Sequence, residues 1–354
     1  MTIDQLNSTN LSSESNFAEN AHLFWIYFCQ GLFLMPANVL IFGSIAFHEP
    51  LRQRKEYIII AGRALVDMGE GFGLFTAGLI RNIYIIDGTA EKLVSRINCL
   101  LKPWNFAFAW TDPLSHIILL TISIDRFMTV KFPLKYYTLT TRYAYSLVGG
   151  TYIFMAINVI AGVIVTLPYN YPELEQICFT ESAFQSNYYL YYSWLSVTAD
   201  FLSILIYAVV VYLSVKLTKL SASDQRIPAL QKKAMNAQRK VTRTLGICSI
   251  CTFVFNCVPL MVKILVQPYV GGAIDLLIPY TYVINQLNPM SNFFIYTLRQ
   301  RDLRIGVKNF VKCKRLTESA LQMASTSAVG VDIASRQFGS INSVSVKPQI
   351  VRKI

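Results

Sequence analysis

The chain carries seven apolar stretches of bilayer length: Leu23–Phe47, Tyr57–Ile80, Asn105–Val130, Tyr145–Leu167, Tyr188–Leu217, Val241–Val266 and Ile274–Tyr296. A hydrocarbon core about 30 Å thick takes roughly 20 residues of helix to cross. Within it, only helices and closed barrels satisfy their own backbone polar groups. The seven stretches lack the alternation of barrel strands. The expected fold is therefore an all-α membrane protein, a seven-transmembrane helix bundle with a short amphipathic eighth helix. The expected organisation is a tail over 1–22, a spanning domain over 23–298, an amphipathic helix over 299–315 and a disordered tail over 316–354.

Composition agrees. Charged residues make up 15% of the chain, where a soluble protein carries about 25%. The 22 Phe and 20 Tyr suit helices that face lipid and headgroups. A net charge of +12 raises the question of nucleic acid, but the Lys and Arg sit between apolar runs, where membrane topology places them. No nucleic-acid partner is expected.

The same residues set an orientation. Residues 1–22 contain no Lys or Arg, and the 168–187 connection contains none. The loop between the fifth and sixth stretches, with its flanks, carries Lys216, Lys219, Arg226, Lys232, Lys233, Arg239, Lys240 and Arg243, and the segment after the seventh is similarly basic. The N-terminus is expected outside, in the plasma membrane, although Arg81, Lys92, Arg96 and Lys102 run against the trend. Asn7 and Asn10 open glycosylation sequons in that outer tail. The first 22 residues are polar and do not read as a cleavable signal peptide.

Two short motifs go further. Ser123–Leu139 reads SIDRFMTVKFPLKYYTL, and Leu287–Arg304 reads LNPMSNFFIYTLRQRDLR. They resemble the third- and seventh-helix signatures of rhodopsin-like (class A) G-protein-coupled receptors. In the seventh stretch, Asn292-Phe293-Phe294-Ile295-Tyr296 aligns best, with Phe in place of the usual Pro. This NF-x-IY form is similar to invertebrate FMRFamide-type peptide receptors and to some nematode serpentine chemoreceptors. The resemblance implies that Asp125 holds Arg126 at rest and releases it to a Gα subunit, with Pro133 and Tyr296 in the same coupling apparatus.

It also implies a polar cluster of Asn38, Asp67, Ser115, Asn288 and Asn292, holding a sodium ion or a water network. Arg63, one turn from Asp67, is an internal alternative to the ion. A Cys99–Cys178 disulfide is implied too, although Cys99 lies 27 residues before Arg126, two more than the family's usual spacing; a bulge or an unwound start to the third helix is expected to absorb the difference.

The chain also departs from the pattern. In the sixth stretch, Phe253 and Pro259 match the family's switch region, but Cys257 replaces its aromatic, and Arg239 stands where many members carry an acid. The fourth stretch lacks the family's Trp and the fifth its Pro.

For the ligand, Phe108 occupies the position at which amine receptors have an aspartate, and 274–296 contains no lysine for a retinal Schiff base. Asp112, Asp200, Phe108 and Tyr282 are candidate pocket residues, and Glu173, Glu175 and Glu181 form an acidic outer rim that would attract a basic peptide. A neuropeptide is the expected ligand, and a small chemosensory molecule the alternative.

Beyond the seventh stretch the chain suits a lipid surface. Arg299–Arg315 alternates basic and apolar residues as a helix lying on a membrane does, with Cys313 a palmitoylation candidate. Thr317, Ser319, Ser325, Thr326 and Ser327 are candidate phosphorylation sites for arrestin. Cys248, Cys251 and Cys257 read as packing residues rather than a metal site. With His22, His48 and His116 scattered, neither a catalytic constellation nor a cofactor is expected beyond the sodium ion.

Overall fold

The computed structural model describes residues 3–223, 244, 246–265 and 278–315. Helix α1 is Ile3–Phe47, α2 Lys55–Ile86, α3 Pro103–Lys131, α4 Thr141–Thr166 and α5 Ser186–Ser223. Apolar Gly246–Asn256 runs through a π-helical turn at Phe253–Cys257 into Val258–Leu265 to make α6. Helix α7 consists of Ile278–Asn285 and Leu287–Arg299, and α8 is Arg301–Val311. The sequons at Asn7 and Asn10 lie in α1 ahead of its apolar part, Ala21–Phe47.

The expected all-α bundle is what forms. Among the described residues, four helices, within α1, α3, α4 and α5, are long and apolar enough by themselves to cross a membrane. Helix α2 is long enough, but Arg63, Asp67, Glu70 and Arg81 make it too charged to count. All four of these residues are buried. A charge in a bilayer span is costly unless it faces the bundle interior and finds a partner, so they fix which face of α2 turns inward. Outward faces stay apolar: Ile153, Ile157, Ile160 and Ile164 of α4 are all more than half exposed.

Small residues let α1 and α2 approach closely, as in membrane helix pairs generally. A Cβ built on Gly71 would lie 2.6 Å from Met35 N, and one on Gly78 would lie 2.5 Å from Phe24 O and Phe28 N. The obstacle is backbone, which cannot rotate away. Gly78→Leu is accordingly expected to destabilise the bundle by about 3 kcal/mol, read as a lower thermal midpoint of detergent-purified protein; a wild-type midpoint would contradict this packing.

At one end of the bundle, α8 folds back on α1. His48 Nε2 meets Gly306 O at 3.0 Å, and Phe310 packs edge-on against Phe47. A cluster including Ile41, Leu51, Tyr57, Tyr207, Tyr296 and Leu303 fills this end. At the other end, strand β1 (Leu93–Ser95) pairs antiparallel with β2 (Pro172–Glu175), lying by the disulfide.

Candidate functional site

The α3 helix passes both ends of the molecule, so its residues order the site. Cys99 precedes it in the short helix Arg96–Leu100, and a break at Leu101–Lys102 leads to Pro103 at the first helical position of α3. That break absorbs the two extra residues in the Cys99–Arg126 spacing. The Cys99–Cys178 disulfide is present, with Cα atoms 5.4 Å apart.

Cys178 adopts φ +52°, an uncommon conformation for a residue with a Cβ. What holds it is its carbonyl, which accepts from Arg81 Nη2 at 2.7 Å, Trp104 Nε1 at 3.1 Å and Asn105 Nδ2 at 3.1 Å. Arg81 Nε adds a bond to Ile177 O at 2.9 Å, and its guanidinium lies 4.8 Å from the Phe179 ring centroid.

Nearby, Arg96 pairs with Glu173 at 2.9 Å and Lys102 Nζ donates to Tyr84 OH at 2.9 Å. Three of the four cations that broke the charge asymmetry are thus structural: Arg81 sits in the last turns of α2, Arg96 neutralises one of the three rim glutamates, and Lys102 holds Tyr84. Sequence reasoning missed these roles because the partners are carbonyls, a glutamate and a tyrosine far along the chain.

Deeper along α3, a cavity opens between the helices. Its lining includes Glu70 of α2, Asp112 and His116 of α3, Tyr192 of α5, Asn256 of α6 and Tyr282 of α7. Of the expected pocket residues, Asp112 and Tyr282 line it, and Tyr282 also donates to Glu181 Oε2 of the outer loop at 3.2 Å. Phe108 instead packs against Gly73 of α2. Asp200 is fully buried beside His116, with Nδ1 and Oδ2 2.9 Å apart; it is taken up by an α3–α5 pair that the scattered histidines gave no hint of.

The switch region is also rearranged. Phe253 is 46% exposed and does not reach the interior. The π-helical turn Phe253–Cys257 inserts a residue into the helical repeat, and Thr252 and Asn256 take the inward positions. Cys257 lies in that turn, and Pro259 lines the cavity beyond it.

Below the cavity lies the expected polar cluster, organised around a residue of the chain rather than an ion. Arg63 Nε is 2.9 Å from Asp67 Oδ1, with both side chains at most 3% exposed, and Arg63 Nη1 donates to Ser115 O. Ser115 Oγ donates to Asp112 O at 3.0 Å, and Asn38 Nδ2 to Leu34 O at 3.0 Å. On the far side, Asn288 Oδ1 accepts from Thr252 Oγ1 at 3.0 Å, and Asn292 is buried next to it in the same helix. A cation site needs carboxylate and hydroxyl oxygens converging on empty space. Here a guanidinium already lies on the carboxylate and supplies the positive charge that a cation would bring. The residues do not fit a resident sodium ion.

At the α8 end, Arg126 Nη2 lies 2.5 Å from Asp125 Oδ2, and the two side chains are 1% and 0% exposed. Pro133 starts the short helix Pro133–Thr138, which carries Tyr136 into the interior. Lys55 Nζ fixes that helix, donating to Tyr136 O at 2.6 Å and Leu139 O at 2.9 Å and lying 4.1 Å above the Tyr136 ring. Burial lowers the Lys55 ammonium below its ordinary value and raises the Tyr136 hydroxyl, the mark of a closely packed end. Tyr296 is 3% exposed in the adjoining cluster. Cys313 is exposed just beyond α8. Arg239 and the candidate phosphorylation sites lie outside the described residues.

The profile of the family 7 transmembrane receptor (rhodopsin family) matches residues 37–296, which takes in the polar cluster, the cavity, the Arg126 motif and the second motif as far as Tyr296. No curated protein matches the chain at a significant level. With that match over well more than half of its length, and a helix bundle to accommodate it, the chain belongs to the rhodopsin family of seven-transmembrane, G-protein-coupled receptors.

Proposed function

We propose that this receptor binds a peptide at its disulfide end and activates a heterotrimeric G protein through Arg126. The observation that carries the reading is the Asp125–Arg126 pair, closed at 2.5 Å and buried. Ten residues of α3 separate Arg126 from His116 at the cavity, roughly 15 Å at the helical rise. A rotation or shift of α3 set off in the cavity therefore reaches the pair directly. Opening it exposes a guanidinium with five donors to the carbonyls at the end of a partner helix.

The Lys and Arg distribution supports a plasma-membrane receptor with its N-terminus outside and α8 on the inner leaflet, with Cys313 a candidate for acylation and the Ser/Thr-rich tail a candidate for arrestin recruitment. For a peptide speak the remaining rim acids, Glu175 and Glu181, and the two-stranded sheet of β1 and β2 at the same end. A small molecule is the competing ligand, favoured by the depth of the cavity floor at Ser115, Asn256 and Pro289.

The test is Gα–βγ dissociation in cells expressing the receptor, basally and against amidated peptides. Arg126→Ala at equal surface expression is expected to abolish the response, a loss of at least tenfold. A variant that signals as wild type would overturn the role of Arg126, and a response confined to small molecules would replace the peptide.

A further inference from the structure

The cavity is rich in hydrogen-bond acceptors. Glu70 and Asp112 bring two carboxyl groups to its lining. Arg63 directs its donors at Asp67 and Ser115 O, and His116 lies on Asp200. Two amide oxygens join the carboxyls. Asn256 and Gln286 line the same cavity, 7% and 9% exposed, and Asn256 Oδ1 and Gln286 Oε1 have no hydrogen-bond partner among the described residues. A buried acceptor without a donor costs about 1–3 kcal/mol, so something supplies donors when the cavity is filled. The walls are Tyr189, Tyr192 and Tyr282, whose ring faces attract a cation.

We propose that the cavity takes a cationic, donor-rich group, a guanidinium or primary ammonium, seated between Glu70 and Asp112 with Asn256 Oδ1 and Gln286 Oε1 as further acceptors. The inference rests on the receptor reading above and names the ligand chemistry of that same site. It places recognition on α2 and one turn below Phe108 on α3. A guanidinium matches best, because its planar fork offers five donors to four acceptors of fixed direction.

Thermal unfolding of the full-length receptor in detergent tests this without requiring G-protein coupling. The probes are arginine amide and the isosteric citrulline amide, each at 10 mM and constant ionic strength. Arginine amide is expected to raise the wild-type midpoint by about 3 °C, and citrulline amide by less than about 0.5 °C. Glu70→Gln and Asp112→Asn, near-isosteric changes, should each remove most of the difference between the probes. Equal shifts with the two probes, no shift with either, or an arginine-specific shift that survives both substitutions would overturn the proposal. Cation-specific stabilisation in a receptor whose Arg126→Ala variant still signals would leave this inference standing and remove the coupling reading alone.

Discussion

Replacing Cys99 and Cys178 together by Ser is expected to lower the stability of the receptor by up to about 4.5 kcal/mol, the loop-entropy value for a bridge spanning 79 residues. That value is an upper bound, because α3 and α4 within the loop stay helical and membrane-inserted when tertiary packing is lost, so the open chain has less freedom to lose than a random coil. The effect is nonetheless large, since the bridge does more than close a loop. Cys178 holds φ +52° while its carbonyl takes three donors, from Arg81, Trp104 and Asn105. Releasing Cys178 lets that carbonyl turn away and leaves Arg81, 3% exposed, with its charge and donors unmatched in a buried site. Surface expression and the thermal midpoint should fall together, and Arg81→Gln alone should reproduce part of the loss. A double-serine variant with the wild-type midpoint would mean that the carbonyl cluster holds the loop without the bridge.

Arg63→Gln is expected to cost about 3–5 kcal/mol, the penalty for removing one partner of a buried ion pair. Asp67 is 1% exposed and would be left facing Ser115 and Glu70 without its cation. Asp67→Asn should cost a comparable amount by stranding Arg63. The double variant should cost much less than the sum of the two, because neither charge remains; a cycle of midpoints with an interaction energy near zero would contradict the pair. Sodium supplies a second readout. The wild-type midpoint should not change when sodium chloride is exchanged for choline chloride at the same ionic strength, since the guanidinium already lies on the carboxylate. Arg63→Gln should acquire a sodium dependence, because it frees Asp67 and the space beside it. A wild-type receptor stabilised specifically by sodium would overturn the assignment.

Much of the molecule was legible without coordinates. Seven apolar runs dictate helices, since a bilayer offers no other way to satisfy an unpaired backbone. Asp125-Arg126 before Pro133, and Asn292 four residues before Tyr296, are local in the chain, and so is the alternation that makes α8 amphipathic. Arg63 and Asp67 were readable as a pair because four residues on a helix bring side chains together.

What escaped the sequence depended on partners distant in the chain or on rotation about a helix axis. Arg81, Arg96 and Lys102 read as exceptions to the charge rule until their carbonyl, carboxylate and hydroxyl partners were in place. His116 and Asp200 are 84 residues apart, and only the packing of α3 against α5 joins them, turning an expected ligand contact into an internal one. A single π-helical turn sends Phe253 outward and Asn256 inward, a change of face that composition cannot reveal because both residues suit a membrane helix. The sequence by itself determined the spans, the position of the Arg126 motif and the cysteines available for the bridge, since these follow from transfer free energy and from residues adjacent in the chain. The tertiary structure alone decided which charges distant in the chain meet, as His116 meets Asp200, and which carboxyl groups come to line the cavity.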